Sequence, residues 1–142
     1  MTTSIRSQLK SNAVALISLA VALGSLGYNT WRNERTEHNR NIRQAAFQQL
    51  VALGELKQLV YHAHYDHDTR GGNPRTGWAY VETIQDFGAA MPPPVPMHAK
   101  ALLNAWRDHW EGLGTSDADT DAITEALDAD RAAVVAALHD LR

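Results

Sequence analysis

Hydrophobic positions change their spacing near residue 32. From Ser11 to Trp31 no residue is charged, and the centre, "AVALISLAVALGSLG", is apolar on every side of a helix. Farther on, apolar residues recur at steps of three and four, as in a helix that buries one stripe. Ile42, Ala46, Leu50, Leu53, Leu56 and Val60 form the first stripe, and Tyr80, Ile84, Phe87 and Met91 the second. Leu102, Leu103, Trp106, Trp110 and Leu113 form the third, followed by Ile123, Leu127, Val134, Leu138 and Leu141.

Helix punctuation divides these stripes. The first helix is read as running on from the apolar segment through "VYHAHYDHD", with Gly71 and Gly72 at or just past its end. Asn73 followed by Pro74 supplies a cap and a residue without the orphan amide. The "PPP" at 92–94 stops the second helix, and Pro96 opens a third that Gly112 and Gly114 break. Residues Ser116 to Thr120 cap a last helix, whose early Asp119 and Asp121 suit its positive end and whose Arg142 suits the other. Four amphipathic helices on short connections bury their stripes most simply against one another. The expected fold is all-α, a single N-terminal transmembrane helix continuing into a small antiparallel four-helix bundle. Trp78, Trp106 and Trp110 are expected to dominate its core.

The apolar run would span roughly 30 Å, close to the hydrocarbon thickness of a bilayer. Tyr28, Trp31, Arg32 and Arg35 follow it in the order of a membrane interface, aromatic rings and then cations. The chain therefore divides into a short basic tail (1–10), a transmembrane helix (11–31) and a helical extramembrane domain (32–142). A cleaved signal peptide shares the basic start and the small residues Ser25 and Gly27, but the run is long for one. A buried core helix is disfavoured because the rest of the chain is too short to surround it.

Arg32, Arg35, Arg40 and Arg43 on one flank outnumber Arg6 and Lys10 on the other, which places the larger domain on the cytoplasmic side by the Lys/Arg count. Short basic amino-terminal tails that stay inside argue the opposite. "SNAVALISLAVALGSLGYNTWRNER" resembles, in general plan, small bacterial proteins with one amino-terminal span and a helical domain. The expected location is accordingly a bacterial inner membrane crossed once. Ala20, Gly24 and Gly27 make a small-residue ridge through which two spans could pair as a homodimer.

Composition narrows the chemistry. The net charge of −3 does not suit nucleic acid. The lack of cysteine excludes disulfides, thiolate metal sites and cysteine nucleophiles. Phosphate-loop, dinucleotide and hydrolase-elbow motifs are absent from the sequence.

What remains is "YHAHYDHD" at 61–68. On a regular helix, His64, His67 and Asp68 share a face as two imidazoles and a carboxylate, a partial ligand set for zinc or iron that His98 or His109 could complete. Histidines at the negative end of a helix need no metal to explain them. No cofactor is expected. The favoured function is a non-catalytic membrane-anchored interaction module, whose partners are the bilayer and another membrane or membrane-proximal protein. A tethered sensor or ligand-binding domain and a metal-binding protein are the alternatives.

Overall fold

The computed structural model describes residues 12–141. The tail at 1–10, Ser11 and Arg142 lie outside the described residues. The fold is all-α: α1 (Ala13–His64), α2 (Pro74–Ala89), α3 (Val95–His109) and α4 (Asp117–Asp140), with a 3-10 turn at Trp110–Gly112.

Two compact units divide within α1, between Asn39 and Arg40. In the first, an 18-residue window of α1 averages 1.5 in mean hydropathy and none of it is buried. By length and composition it is a candidate membrane span or signal anchor. The Tyr28 and Trp31 rings lie 6.2 Å apart, and the Arg35 guanidinium sits 5.8 Å from the Trp31 ring.

In the second unit four helices pack around one core. Ile42, Ala46, Leu53, Leu56 and Val60 of α1 are buried in it, and Leu50 lies at its edge. Leu102 and Trp106 of α3 and Ile123, Leu127 and Val134 of α4 are fully enclosed. Local chemistry sets the boundaries. The Asn73 side chain accepts the Arg75 amide at 3.1 Å, and Ser116 accepts the Asp119 amide at 3.3 Å. Arg43 donates to the Leu141 carbonyl at 3.0 Å, just past the end of α4.

Three sequence expectations change. In α2 the buried line is Gly77, Val81, Ile84 and Gly88, with Tyr80 and Phe87 only partly covered. The cause is a close approach. A Cβ on Gly77 would overlap the Trp106 ring, and one on Gly88 would come within 2.6 Å of Ala99 Cβ. Glycines therefore face the neighbours and the aromatic residues move to the flanks. Of the three tryptophans expected in the core, Trp106 alone is fully enclosed; Trp78 and Trp110 are half-buried and meet edge-to-face at 6.1 Å.

The third change is the end of α1, which stops at His64 rather than running to Asp68. The Asp66 amide turns back to the Tyr61 carbonyl at 3.4 Å and the Asp68 amide to the His62 carbonyl at 2.9 Å. His67 takes the left-handed conformation, φ 50°. Wide backbone bonds of this kind satisfy carbonyls that the helix leaves orphaned, so the chain exits early without a glycine.

Candidate functional site

The end of the bundle where α1 stops gathers most of the polar chemistry. His64, the last residue of α1, is partly covered: Nδ1 lies 3.3 Å from the Thr120 hydroxyl and Nε2 3.6 Å from an Asp117 carboxylate oxygen. On α3, His109 Nδ1 lies 2.6 Å from Asp119 Oδ1. The first turn of α4 thus holds a histidine from the end of each neighbouring helix. The acids gain from the helix dipole, because they sit at the positive end of α4. The His109 contact, with the Ser116 hydroxyl, holds the Asp119 carboxyl below its usual 3.8.

His67 and Asp68 do not join this arrangement. Both are exposed in the loop after α1. Asp68 Oδ1 accepts the Arg70 amide at 2.9 Å, and that bond with the Gly71 amide lowers its pKa. The helical face that would unite His64, His67 and Asp68 ends before two of them. His62 pairs instead with Asp66, Nδ1 to Oδ2 2.8 Å. His98 is half-buried on α3, and His109 is engaged with Asp119. Among the described residues, no three His, Asp or Glu side chains are placed to hold one metal ion.

A pocket of about 490 Å³ opens beside this end, lined by His67, Asp68, Thr69, Arg75 and Thr115 among others. Its lining includes Ala63, Gly72 and Gly114, which meet in a tight junction. Gly72 lies against the backbone of Ala63, and a Cβ on Gly114, φ 83°, would come within 2.7 Å of the Ala63 carbonyl oxygen. Only a residue without a side chain fits there, and the positive φ at position 114 favours glycine independently.

The α4 grip on His64 and His109 was hidden in the sequence. The acidic run from Asp108 to Asp130 has the look of a solvated face, and the pairs span 53 and 10 positions. The capping order Ser116–Asp117–Asp119 was the available signal, since it turns two acids toward whatever packs on that helix start.

Tyr28, Trp31, Arg32 and Arg35 lie along one exposed stretch of α1 in the first unit. Comparison with protein-family models, curated proteins and solved structures finds no match to this chain.

Proposed function

We propose that the protein is a non-catalytic, membrane-tethered interaction module, acting as an adaptor, accessory subunit or scaffold. One observation carries this reading. A single unbroken helix, α1, begins as an exposed apolar segment and ends as a core element of a four-helix head. An apolar surface of that length, uncovered by the protein, is stable in lipid and costly in water. The aromatic and arginine residues at 28–35 suit the membrane interface. The excess of Lys and Arg after the span favours a cytoplasmic head at a bacterial inner membrane.

The test is extraction of native membranes with alkaline carbonate, combined with topology reporters fused at each terminus. The chain should stay in the pellet, and the reporters should fall on opposite sides. Release of a soluble head beginning near Tyr28 would overturn the reading. In mild detergent a partner should copurify in stoichiometric amount; a chain that never retains one would remove the adaptor role.

The pocket at His67, Asp68, Arg75 and Thr115 favours a second reading, reception of a small polar ligand. A metabolite panel that raises the unfolding temperature of the native chain but not of Arg75→Ala would support it. No shift with any compound would remove it.

A further inference from the structure

Among the described residues, Asp130 is the one ionisable side chain that the head encloses completely. It lies on α4 opposite Gln49 of α1, which is equally enclosed. Gln49 Nε2 donates to both Asp130 oxygens, at 3.2 and 3.0 Å. The nearby charges are engaged or exposed. On α4, Asp128 pairs with Lys57 of α1 at 2.7 Å, and Arg131 is exposed. From α3 the half-buried His98 contributes a field that favours the ionised carboxyl. What α2 brings to this level is Gly88, where a Cβ would come within 3.3 Å of Gln49 Nε2.

The supply of donors and acceptors differs between the two protonation states. An ionised carboxyl only accepts, so the Gln49 amide gives its hydrogens to Asp130 and its carbonyl oxygen, Oε1, faces a closed interior without a donor. A protonated carboxyl has one O–H to give. Rotation of the Gln49 amide about its terminal torsion lets that O–H donate to Oε1 while Nε2 donates to the other Asp130 oxygen. The two side chains then close into an acid–amide ring with two hydrogen bonds and no orphaned acceptor. Ionisation undoes this. It leaves Oε1 without a partner and places a charge in the core beside a single neutral amide, and both are costly where the dielectric is low.

We propose that Gln49 and Asp130 form a proton-operated latch between α1 and α4: the closed head holds one proton on Asp130, and release of that proton as pH rises loosens the two helices locally. Burial lifts the Asp130 pKa to about 6, which sets the exchange within the range of ordinary changes in cellular pH. The sign follows from linkage. A carboxyl that binds its proton more tightly when enclosed favours closure at acid pH and opposes it on alkalinisation. The latch lies wholly within the second unit, so it goes beyond the interaction-module reading without depending on the tether.

Infrared spectra of the full-length chain in mild detergent read the proton. At pH 5.5 the native chain should show a carboxylic-acid band that 13C-aspartate labelling shifts, that is gone at pH 8 and that Asp130→Asn lacks. Gln49→Leu should move the band to higher frequency, because the acid carbonyl loses its amide donor. Hydrogen exchange, corrected for its intrinsic pH dependence, reads the opening. Protection at 46–53 of α1 and 127–134 of α4 should fall by at least about tenfold between these pH values, more than around Gly77 of α2, and should stay level in Asp130→Asn. His98→Gln should raise the pH at which both signals change. A missing band, a band that persists at pH 8, an unmoved band in Gln49→Leu or a uniform loss of protection across the head would each overturn the latch. Should Asp130→Asn fail to fold, the labelled native chain assigns the band by itself.

Discussion

The Gln49 side chain on α1 donates its amide to both carboxylate oxygens of Asp130 on α4, at 3.2 and 3.0 Å, in the closed interior of the head. Gln49 Oε1 has no partner there. Burial raises the Asp130 pKa from 3.8 to about 6, against the opposing effects of the Gln49 bond and His98. A carboxyl that is harder to ionise when folded contributes stability that is complete below its unfolded pKa and lost as pH rises through the folded one.

The native head should therefore lose stability between about pH 4 and pH 7, by up to about 3 kcal/mol for a shift of this size. Asp130→Asn should flatten that part of the profile and raise stability at pH 8 by about 1–2 kcal/mol, because a neutral amide can also donate to Gln49 Oε1. Thermal unfolding followed by circular dichroism in mild detergent, from pH 4.5 to 8, reads both effects. Parallel profiles for the two chains would show that Asp130 does not titrate in the folded head over this range.

Gly77 and Trp106 make a second close pair. Gly77→Ala should cost about 2–3 kcal/mol, because its methyl would enter the space of a fully enclosed indole. Trp106→Phe in the same chain should recover part of that loss. The smaller ring gives way, and the buried Trp106 Nε1, which lacks a hydrogen-bond partner, disappears. A double-mutant cycle measured by urea unfolding gives the coupling, and strictly additive losses would separate the two sites.

At Gly114 conformation and contact can be distinguished. Gly114→Ala should lose about 2–3 kcal/mol from the positive φ and the Ala63 carbonyl together. Gly114→Asn should recover little of it. Asparagine tolerates the left-handed region, but its Cβ meets the same oxygen. Full recovery by asparagine would assign the cost to the dihedral alone.

Asp119 provides a test of opposite sign. Its carboxyl is held below 3.8, so its contribution is present above that value and is lost as pH falls through the folded pKa. Carboxylate titration by NMR should place its midpoint below 3.8 in the native chain. His109→Gln should move it upward most, and Ser116→Ala less, following the order of the two hydrogen bonds. An unmoved midpoint in His109→Gln would dissociate the pair.

These sites also mark how much the sequence could tell. The stripe from Ile42 to Val60 was legible because large side chains repeat there every three or four residues, and the caps at Asn73 and Ser116 because their chemistry is local. The face of α2 was not. Periodicity weights Tyr80 and Phe87 by hydrophobicity, whereas the packing of Gly77 and Gly88 against Trp106 and Ala99 depends on the distance between helices. The separation of His64 from His67 and Asp68 was hidden for a related reason. A helical wheel presumes a regular helix, and the early exit at His64 removes His67 and Asp68 from the face that joined them. Asp130 looked like part of a solvated acidic run, and only the third dimension places it opposite Gln49.

The crowding around Ala63 has a practical consequence. Two separate loops rest there on bare backbone, so added bulk at positions 72 or 114 would wedge apart three segments at once. Fluorophores and other side-chain labels belong elsewhere, for instance at the exposed Glu82 or Lys100, where the surrounding solvent accommodates them.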